Sequence, residues 1–141
     1  ETLGGGSGAG PHWSGASGTH VHMSNTAITD PEILELRFPV RLRQFALRGN
    51  SGGRGRYPGG EGLVRAYEFL EAMQISLLTQ QRKAGPPGQE GGEPGKPGRQ
   101  RWITATGEEK LLQASDQFDA HPGDRLILET PGGGGWGEET L

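Results

Sequence analysis

The sequence contains no cysteine, which excludes a disulfide scaffold and every thiolate metal site. That absence is compatible with a reducing compartment, and a cytoplasmic location is the expectation. Neither sign of charge dominates: 14 Lys and Arg stand against 17 Asp and Glu, for a net charge of −3. No basic footprint exists for a phosphate backbone, so nucleic acid is not an expected partner. No apolar run approaches the roughly 20 residues that span a bilayer, and Glu1-Thr2-Leu3-Gly4 opens without a basic or apolar leader. A membrane is not an expected partner either. Methionine is missing from the first position, and a sequence that starts in a glycine tract reads as a fragment or an excised domain. Strong core formers are scarce: Leu, Ile, Val and Phe supply 26 of 141 residues, close to the level at which disorder becomes a serious prior. The core must be thin, and a chain of this length is one small domain or a piece of a larger one.

Glycine is abundant instead, with 27 residues beside 10 prolines. Twenty-five of the glycines fall in four clusters, 4–18, 49–62, 85–98 and 132–137. The stretches between them carry most of the apolar residues, so the pattern is one of ordered segments punctuated by special loops. Residues 1–18 read as a Gly-rich loop and 132–141 as a Gly-rich tail. The run Gly85–Gly98 looks collagen-like, but its triplet register breaks between Gly91 and Gly92. A few triplets with a slip do not sustain a triple helix, which leaves a rigid, multi-turn loop.

Thr29-Asp30-Pro31-Glu32 supplies a capping box with proline in the first turn, and Pro39 ends the helix it starts. A short helix at about 30–38 is therefore expected. Beyond it, 40–48, 63–71, 74–81, 102–106, 110–113 and 125–129 alternate apolar and polar residues, which predicts six strands. Thr106-Gly107 and His121-Pro122-Gly123-Asp124 carry turn chemistry. The fold class that follows is mainly β, an antiparallel, sandwich-like domain with one short helix and long Gly-rich loops.

Three features carry chemistry. His20-x-His22 places two imidazoles on one side of an extended segment, and Asn25 follows three residues later. Two histidines leave a metal site incomplete, so no metal is assigned to this chain, and hydrogen bonding to a substrate or to the chain's own loops is preferred. Asn25 adds a neutral donor and acceptor, or begins an Asx turn. Gly52-Gly53-Arg54-Gly55-Arg56 offers freed N–H groups beside two guanidinium groups, an anion nest, against the plainer reading of a long β-hairpin loop with solvated arginines. Gly132-Gly133-Gly134-Gly135 before Trp136 is either a frayed tail or a place where backbone must approach something closely. Gly91 to Lys96 lacks the spacing and the following Ser or Thr of a phosphate loop.

The ordered set Gly5-Gly6-Ser7-Gly8-Ala9-Gly10, Gly18-Thr19-His20-Val21-His22-Met23-Ser24-Asn25-Thr26, Ile28-Thr29-Asp30-Pro31-Glu32-Ile33-Leu34-Glu35, Gly52-Gly53-Arg54-Gly55-Arg56, Gly91-Gly92-Glu93-Pro94-Gly95 and Thr130-Pro131-Gly132-Gly133-Gly134-Gly135 resembles the C-terminal end of the hydantoinase B/5-oxoprolinase family over the whole chain. The resemblance implies a portion of an enzyme that couples ATP cleavage to opening of a cyclic amide, such as 5-oxo-L-proline to L-glutamate. It implies a hydantoinase A-type portion or subunit and an upstream B-type region as partners. ATP with magnesium and a divalent metal are expected in those missing portions, none in this chain. His20, His22 and Asn25 are then substrate-facing candidates and Arg54 and Arg56 anion-binding candidates, with no catalytic residue carried over. The competing expectation is a non-catalytic structural or assembly module packing against the catalytic subunit.

Overall fold

The computed structural model describes residues 3–18, 35, 38–78, 84–113 and 115–139. Alternating side chains form seven strands among them: β1 (Val40–Arg48), β2 (Gly62–Phe69), β3 (Met73–Leu78), β4 (Arg99–Ile103), β5 (Glu109–Leu111), β6 (Ser115–Ala120) and β7 (Arg125–Glu129). A five-stranded antiparallel sheet runs β1-β2-β7-β4-β5, and β3 pairs with β6 in a separate ribbon. The sandwich-like, mainly β expectation is met. The expected helix at 30–38 lies outside the described residues apart from Glu35, which is helical, and Phe38, which is in a bend.

Register explains the burial. Val40↔Phe69, Leu42↔Tyr67, Tyr67↔Leu126 and Trp102↔Leu126 are cross-strand neighbours, so all share one face of the large sheet. Phe118 and Ala120 of β6 close over that face, with Ile75 and Leu77 of β3 beside them. Trp102 stacks on Phe118 with ring centroids 4.5 Å apart, and Phe69 meets it edge-on at 6.3 Å. Both are favourable aromatic geometries. The opposite face pairs charges instead, Arg43 and Arg125 with Glu68, Arg99 and Arg101 with Glu129. Farther along the core face, Arg65 is wholly buried, its guanidinium 4.8 Å over the Phe45 ring and its Nε–H donated to the Tyr67 hydroxyl at 2.9 Å.

Strand β6 is one that periodicity alone does not predict. Ser-Asp-Gln-Phe-Asp-Ala offers only Phe118 and Ala120 as alternating apolar residues, and pairing to β3 makes it a strand. The turn after it has the expected form: Gly123 has φ 89° and Asp124 N–H donates to the His121 carbonyl at 3.0 Å. Its carboxylate is buried. It accepts from Trp102 Nε1, from Ala105 N–H and from His121 N–H, each at 2.9 Å, which ties the turn to β4.

At one end the sheet runs into the glycine-rich segments. Thr130, just past β7, donates its hydroxyl to the Gly4 carbonyl at 2.9 Å and accepts from Leu63 N–H at 2.6 Å. Arg48, at the end of β1, donates through Nη1 to the Pro97 and Thr130 carbonyls at 2.8 and 3.0 Å. Burial pulls the Arg48 pKa below its ordinary value, with Glu129 opposing. Ser51, fully buried, donates to the Arg48 carbonyl and accepts from Gly62 N–H. Every glycine-rich stretch is therefore anchored to a strand end.

Candidate functional site

The glycine clusters assemble into one bundle of extended chains. Residues 131–137 form its axis. Pro131 and Gly134 carbonyls accept from Gly6 and Ala9 N–H; Gly132 and Gly135 N–H donate to Lys96 and Glu93 carbonyls; Gly133 and Trp136 N–H donate to Gly60 and Tyr57 carbonyls. Partners repeat every third residue, which is the period of a polyproline-II chain, where nothing is bonded internally and peptide groups are left to bond to neighbours. Three hairpins surround the axis, with legs 3–10 and 13–18, 51–54 and 56–60, and 84–89 and 92–98. Positive φ at Glu90 and Gly91 turns the third of them.

Only glycine fits this packing. A Cβ on Gly133 would lie 1.9 Å from the Ser7 carbonyl oxygen, on Gly59 2.0 Å from that of Gly133, and on Gly85 1.6 Å from that of Gly95. Those neighbours are backbone, which cannot swing aside as a side-chain tip can. Gly132, Gly133, Gly134 and Gly135 are buried, so the stretch 132–137 realises the close-approach expectation, and the loops at 3–18, 51–60 and 84–98 are ordered legs of one object.

The bundle carries its functional candidates at the end remote from the sheet. Tyr57 and Trp136 exchange backbone hydrogen bonds of 2.9 and 2.8 Å, with ring centroids 6.1 Å apart. Arg56 lies over the Tyr57 ring at 5.9 Å. Arg54 donates through Nε to Glu93 at 3.3 Å, joining two hairpin tips, and that hydrogen bond raises its pKa. Both arginines are exposed, as the hairpin-loop reading expects. The N–H groups expected to line an anion nest are engaged at Gly53, Arg56, Tyr57 and Gly59, each donating to a backbone carbonyl. An anion reaching these guanidinium groups must compete with Glu93 for Arg54, beside which the Gly52, Arg54 and Gly55 N–H groups meet no acceptor among the described residues. Tyr57, Glu93 and Gln89 are additions to the tip that spacing did not reveal; the only signal was Trp136 standing after four glycines.

His20, His22 and Asn25 lie outside the described residues. Among the described residues no three His, Asp or Glu side chains stand close enough to hold a metal ion. No helix among them is long and apolar enough to cross a membrane.

A family model described as hydantoinase B/oxoprolinase matches residues 1–139. The chain is 47% identical over 137 residues to 5-oxoprolinase 1 of Arabidopsis thaliana, covering 97% of this chain and 11% of that protein. It is 35% identical over 115 residues to the caprolactamase subunit beta of Pseudomonas jessenii, covering 77% of this chain and 20% of that one. The crystal structure of the ATP-dependent caprolactamase from Pseudomonas jessenii superposes with a TM-score of 0.81 at 24% identity, covering 96% of this chain and 24% of that chain. The chain thus spans about a tenth of the length of the 5-oxoprolinase it matches, and the bundle and sheet together are a shared fold.

Proposed function

Since this chain belongs to the hydantoinase B/oxoprolinase family, we propose that it serves as the C-terminal portion of an ATP-dependent cyclic amide hydrolase, of the kind that converts 5-oxo-L-proline to L-glutamate. The observation that carries this reading is the near-complete match of the chain to proteins named 5-oxoprolinase. In this proposal the bundle is a rigid wall: most of its axis is hydrogen-bonded to the surrounding legs, and it holds hairpin tips at fixed positions against the rest of the enzyme. An upstream B-type region supplies a divalent metal site, and a hydantoinase A-type portion handles ATP and magnesium in the cytoplasm. His20, His22 and Asn25 face the substrate.

Reconstitution tests it. The purified 141-residue chain is expected to release no glutamate from 5-oxoproline with ATP, and to restore ATP-dependent release when added to the enzyme lacking this portion. Turnover by the chain alone, or full turnover without it, would sink the proposal.

The same assay examines Arg54 and Arg56. An anionic, phosphorylated intermediate held by bidentate guanidinium contact is poorly served by lysine. Arg54→Lys and Arg56→Lys, measured separately, are expected to include at least one drop of about tenfold in turnover with unchanged Tm. Wild-type kinetics in both variants assigns Arg54 to tip-to-tip bridging through Glu93 and Arg56 to its place over the Tyr57 ring. That outcome favours the second reading, a non-catalytic assembly module, for which the backbone-only bundle is the specific support.

A further inference from the structure

A chain with three residues per turn and no internal hydrogen bonds points its peptide groups in six directions, three for N–H and three for C=O. The axis fills five of them over its regular stretch, 131–136. Its N–H groups reach leg 92–98 from Gly132 and Gly135, and leg 56–60 from Gly133 and Trp136. Its carbonyls reach leg 3–10 from Pro131 and Gly134, leg 51–54 from Gly133 and leg 84–89 from Gly135. The remaining N–H direction belongs to Pro131, which has no N–H, and to Gly134, whose N–H meets no acceptor among the described residues; Gly137, next in that phase, has left the extended form with φ 75° and donates back to leg 84–89 at the Gln89 carbonyl, 2.9 Å. Gly134 is buried, and buried N–H groups without a partner are rare in folded proteins.

The surrounding legs locate the gap. Leg 3–10 bonds to 56–60 through Gly60 N–H and the Ser7 carbonyl, 56–60 to 51–54 through Gly59 and Gly53, 51–54 to 92–98 through Glu93 and Arg54, and 92–98 to 84–89 through Gly95 and Pro86. Among the described residues no backbone hydrogen bond closes the ring between 84–89 and 3–10. On that open flank sits Gly8, which is exposed, has no backbone hydrogen bond among the described residues, and would place a Cβ no nearer than 3.9 Å to any atom, the Gly134 oxygen. Its φ is not positive either. Nothing within the described residues requires glycine there, in contrast to Gly6, Gly59 and Gly133, where a Cβ would strike backbone at 2.0 Å or less.

We propose that the sixth position around the axis, between legs 84–89 and 3–10, is a docking groove for one extended glycine-bearing polypeptide segment supplied from outside these 141 residues. The occupant presents a backbone carbonyl to Gly134 N–H and a small residue to Gly8, where close approach of two backbones needs a missing Cβ. The relatives supply ample chain for it, since this chain covers 11% of the Arabidopsis protein and 24% of the caprolactamase chain. The proposal rests on bundle geometry and goes beyond the catalytic reading, so its outcome is independent of whether the assembled enzyme opens a cyclic amide.

The probe is a soluble peptide of three Gly-Gly-Ser repeats, titrated into the 141-residue chain while backbone amide exchange is followed by NMR. Without peptide, the Gly134 amide is expected to exchange at least about tenfold faster than those of Gly133 and Gly135, which are hydrogen-bonded. Saturating peptide is expected to slow it to their rate. Gly8→Val is expected to abolish that response while leaving Tm unchanged. Gly134 protected in the chain alone overturns the proposal, because residues of this chain then fill or close the position. So does the absence of any peptide response at millimolar concentration, or a fall in Tm with Gly8→Val comparable to that of Gly133→Val.

Discussion

Gly133→Val is expected to disrupt the bundle and lower stability by about 3–5 kcal/mol, from overpacking together with loss of two backbone hydrogen bonds. The first carbon of any side chain there falls 1.9 Å from the Ser7 carbonyl oxygen and 2.2 Å from its carbon. Relief requires moving leg 3–10 away from the axis, which breaks the bonds from Gly6 to Pro131 and from Ala9 to Gly134. Gly133 also donates to Gly60 and accepts from Gly53, so displacing the axis instead loses those two. Gly133→Ala shares most of the effect, because the clash is at Cβ. The control is Gly49→Ala, where a Cβ meets nothing within 4 Å and φ is not positive; it is expected to be neutral or slightly stabilising through the unfolded chain. Urea denaturation of the three variants decides the matter. A Gly133→Ala protein within about 0.5 kcal/mol of the wild type, the range of ordinary surface substitutions, would contradict the packing described.

Asp124→Asn is expected to cost about 2–4 kcal/mol, from charge-assisted bonds lost and a donor left facing donors. Oδ2 accepts from Trp102 Nε1 and His121 N–H, and Oδ1 from Ala105 N–H. An asparagine NH2 in either orientation opposes at least one N–H, so the isostere is no rescue. Burial by itself raises the Asp124 pKa, but hydrogen bonds from the His121 backbone, the Trp102 indole and the Ala105 backbone outweigh it, and the net shift is downward. A depressed folded pKa means that the unfolded state binds the proton more tightly. The stabilisation is therefore fully present above the unfolded value, about 3.9, and is lost as pH falls through the lower folded value. The difference in stability between wild type and Asp124→Asn should be constant from neutral pH to about pH 5 and shrink below pH 4. A difference that does not change between pH 6 and pH 3 would show that the carboxylate charge is irrelevant.

Much of the sheet was legible along the chain. Val40–Arg48 and Arg125–Glu129 match their expected spans because both alternate over a length that only strands use. Trp102–Thr106 was displaced, since the strand starts at Arg99: the polar side of β4 reads as loop until Arg99 and Arg101 are seen against Glu129 on β7. Ser115–Ala120 was invisible for a related reason, its strand character coming from β3 rather than from its own composition. The tip residues divide the same way. Arg54 and Arg56 stood out as cations among glycines, while Glu93, 39 positions beyond Arg54, had no local signal at all.

The sequence by itself determined that the chain is mainly β, that its apolar core is thin, and that its glycines occur in blocks rather than at random. Those are properties of side-chain period and composition, which act over a few residues. Only the tertiary structure decided what the blocks are for. A glycine block looks the same whether it is a loop, a tail or a packed leg, because the property that distinguishes them is the absence of Cβ at a contact with backbone that can be distant in sequence, as between Gly95 and Gly132 or Gly133 and Ser7. Stability that an ordinary domain draws from buried side chains is here supplemented by peptide groups bonded between distant chains, and no pattern of residues along one chain records which distant carbonyl will accept a given N–H.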